Sequence, residues 1–174
     1  MNIFVKIQRL DDFQFRKVRY YTVHYEGGEV NEFFDFLNRM EEIDEVADDL
    51  SNLLVWIEEI GEKLGAKKLL YFRNESINAD VQALPPPRRQ MEAIDIWVEN
   101  LRLYCLVLNE HVVFLFNGGI KTADNAKDCP NVGPYIKQAN ELVRKIDELL
   151  ISKEISWNKN QTDSCFDENL EIEP

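Results

Sequence analysis

Between Leu101 and Thr122 the sequence LRLYCLVLNEHVVFLFNGGIKT sets Arg102, Tyr104, His111, Asn117 and Lys121 among largely apolar residues. Side chains of these types could act together on a phosphodiester. Attack of a ribose 2′-hydroxyl on the adjacent phosphate needs a proton acceptor, a proton donor for the leaving oxygen, and cationic donors on the phosphorane. Arg102 and Lys121 suit the last task, and His111 is a candidate for proton transfer. No metal site is legible. Cys105, Cys129 and Cys165 are widely spaced and only His24 and His111 could join them, so neither a metal nor another cofactor is expected.

The elements that must position these residues follow from their neighbours. Dense Leu, Val, Phe and Tyr on either side of Asn109-Glu110 predict two strands joined by a two-residue hairpin. With that turn Leu108 faces His111 and Arg102 faces Asn117. One face then carries Leu101, Leu103, Cys105, Val107, Val112, Phe114 and Phe116, and the other carries Arg102, Tyr104, His111 and Asn117 among Leu106, Val113 and Leu115. The first face is expected to be core, the second to be the site. Arg102 has a structural reading beside the chemical one, an ion pair with Glu99 or Asp95. Asn117-Gly118-Gly119 reads as a turn or as an anion-binding nest.

Upstream, residues 2–8 and 15–25 read as strands. Val30, Phe33, Phe34 and Leu37 keep helical spacing, and Ile43, Val46, Ala47, Leu50, Leu53, Leu54, Ile57, Ile60 and Leu64 continue as one stripe. Residues 69–73 suggest a short strand, and 74–90 a polar connection. Its end, Pro85-Pro86-Pro87-Arg88-Arg89, is expected to be extended, because consecutive prolines continue neither a helix nor a central strand. Arg88 and Arg89 then sit in a surface loop or contact RNA phosphate, just ahead of a strand at Ile94–Val98. A helix is predicted from about Tyr135 to Leu150, amphipathic through Ile136, Ala139, Leu142, Val143, Ile146 and Leu150. The expected architecture is α+β: an antiparallel meander sheet, an N-terminal two-helix hairpin packed on one face, and a C-terminal helix. Residues 1–150 form the domain, with 74–90 as an insertion, and 151–174 form an acidic tail of a composition that is disordered by default.

The formal charge of −12 is unevenly spread over the 174 residues. Residues 29–62 hold twelve acids and one base, residues 154–174 six acids and one base, and the remainder 18 bases and 14 acids. A mildly basic sheet body between acidic segments leaves one side suited to a polyanion. No apolar run is long enough to span a bilayer, and the start lacks a long apolar leader, so a cytoplasmic location is expected.

The stretch VRYYTVHYEGGEVNEFFDFL, followed by IDIWVENLRLYCLVLNEHVVFLFNGGIKT, resembles the RelE/HigB family of bacterial toxins, in particular its phage-derived branch. There, a strand similar to "LWELRI" precedes a "yRvlY" strand and an apolar strand entering a "GFxKKT" loop. Ile94–Val98, Leu101–Cys105 and Val112–Thr122 are the matching pieces, within a resemblance covering roughly residues 18–150. The resemblance implies the toxin of a type II toxin–antitoxin system: a metal-free endoribonuclease that cuts messenger RNA, usually at the ribosome, and is held inactive by an antitoxin protein. It places the family's strand arginine on Arg102 and its loop lysine on Lys121; Tyr104 and His111 join them only through the ladder pairing. The alternative is a non-catalytic interaction module on the same scaffold, with the mixed sheet face binding a protein segment or the chain's own tail.

Overall fold

The computed structural model describes residues 3–75, 80–122 and 129–173. Its strands are β1 (Val5–Gln14), β2 (Arg19–Tyr25), β3 (Arg73–Asn74), β4 (Gln82–Leu84), β5 (Leu101–Asn109), β6 (Val112–Ile120), β7 (Ile155–Trp157), β8 (Ser164–Phe166) and β9 (Glu171–Ile172). The helices are α1 (Glu32–Glu41), α2 (Ala47–Glu59), α3 (Lys68–Tyr71), α4 (Arg88–Ile94) and α5 (Gly133–Ile151). A 3-10 turn at Asp44–Val46 leads into α2, and a π turn at Ile60–Leu64 prolongs it.

Seven strands form one curled sheet in the order β3-β4-β5-β6-β2-β1-β9, while β7 and β8 pair separately. The expected antiparallel meander is therefore wrong. β2 and β6 run parallel, with Arg19 beside Val112 and Tyr21 beside Phe114, and the other pairings in the sheet are antiparallel. Parallel neighbours need a long crossover, and the chain between β2 and β6 supplies one that includes four helices. The N-terminal two-helix hairpin is also corrected. α1 and the long helical segment over 44–64 are separate supports of the sheet, joined to one core through Phe33, Phe36 and Met40 on one and Leu50, Leu53, Trp56, Ile57 and Ile60 on the other.

Local chemistry explains why these helices start where they do. The Asn31 side chain accepts the Phe34 N–H at 2.8 Å, and Glu32 and Asp35 stand in the first turn at the positive end of the helix dipole. In α2 the Asp49 carboxylate accepts the backbone N–H groups of Glu99 and Asn100, at 3.2 and 2.8 Å, and so anchors the entrance to β5. Gly61 provides the close approach at the π turn, because a Cβ there would strike the Phe15 ring, while its carbonyl accepts from Lys17 and Val18.

The sheet has a core on each face. α1 and the 44–64 segment cover Tyr20, Leu101, Leu103, Cys105, Val107, Val113 and Leu115. α5 covers Tyr21, Val23, Tyr104, Leu106, Val112, Phe114 and Phe116 with Ile136, Ala139, Leu142, Val143 and Ile146, five of the six apolar positions of its predicted stripe, Leu150 being only partly buried. The face expected to remain mixed and open at Leu106 is thus a second interior.

Three further expectations change. Residues 68–71 are helical, so the strand begins only at Arg73. The triproline segment follows β4 and leads straight into α4, with Arg88 and Arg89 in its first turn. Ile94–Val98 is no strand: α4 ends there on Asp95 in the left-handed region (φ 55°). The carbonyls of Ile96 and Trp97 accept from the side chains of Trp56 (2.9 Å) and Asn52 (2.8 Å), so that backbone pairs with α2 instead of a ladder.

The tail is ordered where it meets the sheet. Ile155 and Ile172 are buried, β9 extends β1, and Phe166 meets the Tyr21 ring edge-on at 5.9 Å. Asp163 accepts from Arg9 at 2.8 Å and from the Tyr21 hydroxyl. Among the described residues no helix is long and apolar enough to cross a membrane.

Candidate functional site

Register decides which residues can meet. β5 and β6 pair as Asn109 with Val112, Val107 with Val113, Leu106 with Phe114 and Cys105 with Leu115. Leu108 is therefore an extra residue on β5, and the ladder slips by one from the predicted alignment. A one-residue slip exchanges the faces of a strand. Val113 and Leu115 go to the α2 side, and Val112, Phe114 and Phe116 join Tyr104 and Leu106 under α5. A second irregularity sets Phe116 and Asn117 against Tyr104 alone, after which Leu103 pairs with Gly118 and Arg102 with Gly119.

Asn117 is consequently on the α1 side, not opposite Arg102. It is 1 % exposed and fully engaged. Its Nδ2 donates to Glu32 Oε2 and Asp35 Oδ2, both at 2.8 Å, and its Oδ1 accepts from Arg39 Nη2 at 2.5 Å. The same Arg39 nitrogen reaches the Gly118 carbonyl at 2.8 Å, and its guanidinium lies 4.8 Å from the Tyr135 ring centre. A cavity of about 610 Å³ adjoins this knot, lined by Glu29, Glu32 and Asp35 among others. Those carboxylates disfavour phosphate, so Asn117 is a structural tie and not an RNA contact. Nor is Asn117-Gly118-Gly119 a turn: it is strand.

His111 lies at the hairpin tip, where Nδ1 is 2.9 Å from the Lys17 carbonyl and the His111 carbonyl accepts from Arg19 N at 2.7 Å. At about 3.3 Å per residue along β5, it stands roughly 23 Å from Arg102. His111 and Arg102 do not share a site. Arg88 and Arg89 are on exposed α4 positions; Arg88 pairs with Glu92 at 3.2 Å and covers the Trp97 ring at 5.4 Å.

What the fold does gather is at the opposite end of the hairpin. Arg102 and Tyr104 lie two apart on β5, and Tyr104 pairs with Ala83, which pairs in turn with Arg73 on β3. Cross-strand partners share a face, so Arg73, Ala83 and Tyr104 line one strip. Lys121 follows two residues after Gly119, the partner of Arg102, and its N–H donates to the Asn100 carbonyl at 2.7 Å. Among the described residues neither Arg73 nor Arg102 forms an ion pair, with Glu99, Asp95 or any other carboxylate. Arg73 instead donates to the Pro85 and Pro86 carbonyls at 2.9 and 3.1 Å, and Arg102 Nη1 to the Leu101 carbonyl at 2.8 Å.

Electrostatically the cluster is under tension. Burial, with the neighbouring Arg102 charge, lowers the Arg73 pKa, and burial lowers that of Arg102 against the pull of Glu75. Burial and Glu75 push the Tyr104 hydroxyl well up, so it stays protonated. Arg102 Nε and Tyr104 Oη are both buried and, among the described residues, have no hydrogen-bond partner. Unpaired buried donors cost about 1–3 kcal/mol each, more when charged. Two guanidiniums near one carboxylate, with an unpaired hydroxyl beside them, form an arrangement that an anion would complete.

Arg73 and Glu75 were missed from the sequence because 69–73 reads as an apolar strand with a polar exit. The available signal was the spacing of Arg73 and Glu75, two apart like Arg102 and Tyr104. Residues 76–79 and 123–128, which include parts of the predicted insertion and of the loop after Lys121, lie outside the described residues. Among the described residues no three His, Cys, Asp or Glu side chains are grouped to hold a metal ion. Comparison with protein-family models, curated proteins and solved structures finds no match.

Proposed function

We propose that this chain is the toxin-like component of a type II toxin–antitoxin pair, an endoribonuclease whose phosphate grip is Arg73 with Arg102. The observation that supports the reading is the pair of guanidiniums that, among the described residues, have no ion-pair partner, set beside a Tyr104 hydroxyl that has no hydrogen-bond partner among them. In this scheme Glu75 takes the proton of the ribose 2′-hydroxyl, whose oxygen attacks the adjacent phosphorus. The P–O5′ bond breaks and Tyr104 protonates the leaving oxygen, giving a 2′,3′-cyclic phosphate and a 5′-hydroxyl. Arg73, Arg102 and Lys121 offset the charge on the phosphorane. The proton acceptor is thus Glu75 in place of His111. The target remains messenger RNA and the inhibitor an antitoxin protein, as the family resemblance implies.

One observation favours the second reading, a non-catalytic interaction module. Arg102 is only 7 % exposed and Tyr104 is fully buried, so RNA reaches them only if the cluster opens. Incubating the full chain with a labelled ribo-oligonucleotide separates the two. The toxin reading expects cyclic-phosphate products that vanish in R102A, R73A and E75Q variants of unchanged melting temperature. Absence of cleavage with and without ribosomes, together with no growth arrest on expression without a partner, supports the module.

A further inference from the structure

The cavity of about 610 Å³ beside the Asn117 knot has the walls of a cation site. It lies where the turn after β2, the start of α1 and the start of α5 meet, and Tyr25, Glu29, Glu32, Asp35, Tyr135 and Gln138 are in its lining. Among the described residues no lysine, arginine or histidine lines it. Asp35 is met by Arg39 at 3.0 Å, whereas Glu29 and Glu32 form no ion pair among the described residues. Beyond Gly28, Lys6 stands 3.9 Å from Glu171 and lines a different cavity. Burial, and then the charges of Glu32 and Glu141, push the Tyr25 hydroxyl pKa well up, so the field at this wall is negative.

One acceptor in the same wall lacks a donor. Gln138 Nε2 donates to Glu32 Oε1 at 2.8 Å, which fixes the amide, because the reverse orientation would set its oxygen against the carboxylate. The amide oxygen, Oε1, is then buried and has no hydrogen-bond partner among the described residues. A buried acceptor in that position is unfavourable until a donor reaches it. Arg39 shows how a cation sits in such a setting: its guanidinium lies 4.8 Å from the Tyr135 ring centre, Nε donates to Asp35, and Nη2 donates to the Asn117 amide oxygen. Glu32, the Gln138 amide oxygen and Tyr25 repeat that set of carboxylate, amide oxygen and ring, with no cation among them. A metal ion does not fit, since among the described residues no three Asp, Glu, His or Cys side chains are grouped to hold one. Carboxylates that do not converge on one point suit separate ammonium groups on an aliphatic chain.

We propose that this cavity binds an organic cation with linked primary ammonium groups, carried by a free polyamine or by neighbouring lysine side chains of a peptide. One ammonium meets Glu32 and the Gln138 amide oxygen beside Tyr25, and a second meets Glu29. The proposal does not depend on the RNA chemistry.

Isothermal titration calorimetry of the full chain with spermidine, and separately with a short peptide carrying two adjacent lysines, tests it. Saturable one-to-one binding is expected in at least one arm, and the tighter arm names the source of the ammonium groups. E32Q should weaken that binding at least about tenfold, as loss of a charge-assisted hydrogen bond implies. E29Q removes an exposed charge and should weaken it about two- to fivefold; it decides the matter should E32Q lose its melting transition. No saturable binding in either arm, or an affinity that neither variant alters, would overturn the proposal. So would magnesium chloride binding as tightly as spermidine with the same response to the variants, which would reduce the cavity to a counter-ion site.

Discussion

Replacing Gly118 by alanine tests the strand register that places Arg102. Gly118 faces Leu103 in the β5–β6 ladder, and a Cβ added there would overlap the Arg102 carbonyl oxygen. It would also lie 2.9 Å from the carbonyl carbon and 3.0 Å from Leu103 Cα. All three are backbone atoms, so no rotamer change relieves the contact, and the strands must part by more than 1 Å to reach an ordinary separation of about 3.3–3.5 Å. Overpacking of this kind costs about 1–3 kcal/mol, and two weakened ladder hydrogen bonds add about 1 kcal/mol each. The sum is about 3–5 kcal/mol. Gly27 is the control: its φ is +81° but nothing stands within 4 Å of its Cβ position, so G27A pays only the left-handed conformation, about 1–2 kcal/mol. Urea unfolding at constant m reads both values from the midpoints. A G118A variant within about 1 kcal/mol of the parent, or no worse than G27A, would refute the register and with it the placement of Arg102.

Other outcomes follow from the same geometry. N117D puts a new carboxylate against Glu32 and Asp35. Its folded-state pKa is raised, so its stability deficit should widen as the pH rises from about 4 to 7 in melting curves, and a constant deficit would count against the knot. At Asp163 burial works to raise the carboxyl pKa, but hydrogen bonds from Tyr21, Arg9 and the Ser164 amide hold it below the usual range. That stability is present above an unfolded pKa of about 3.9 and is lost as the pH falls through the lower folded value. D163N should therefore cost about 1–2 kcal/mol at neutral pH and nothing in strong acid, and an equal cost at both would show the tail contact to be uncharged in effect. F114A removes a ring stacked 5.5 Å from Tyr21 and should cost about 3–5 kcal/mol in calorimetry; a loss below about 1 kcal/mol would deny the α5-side core.

The parts legible in the sequence are those where one local pattern decides the outcome. The stripe Ile136, Ala139, Leu142, Val143, Ile146 and Leu150 needs only the helical period, and on α5 all but the half-buried Leu150 are buried. Leu101, Leu103, Cys105 and Val107 likewise share a face as alternation requires. On β6 alternation was equally clear, but its phase relative to β5 depended on the extra Leu108, which no composition announces. That slip moved Phe114 to the other core and Asn117 to the other side. Ile94–Val98 has strand-like residues, yet Trp56 and Asn52 take its carbonyls from another element. The acidic tail is ordered by partners more than 100 residues away, Arg9 and Tyr21 for Asp163 and Val5 for Ile172. Arg102, Tyr104 and Lys121, singled out in the sequence, are brought to one end of the hairpin. Arg73 arrives through its pairing with β4, a three-residue strand just ahead of a proline run, and such a pairing is visible only once folded.

The central claim is that Arg73 and Arg102 together receive a phosphate. Affinity of the full chain for a single-stranded ribo-oligonucleotide, titrated from about 20 to 200 mM salt, tests it most directly, because each phosphate contact contributes about 0.7 to the slope of log affinity against log salt. R73A and R102A should each weaken binding and flatten that slope by about one contact, while R88A, on the exposed face of α4, leaves it unchanged. Binding that is undetectable at the lowest salt, or a slope that neither R73A nor R102A alters, would contradict the account.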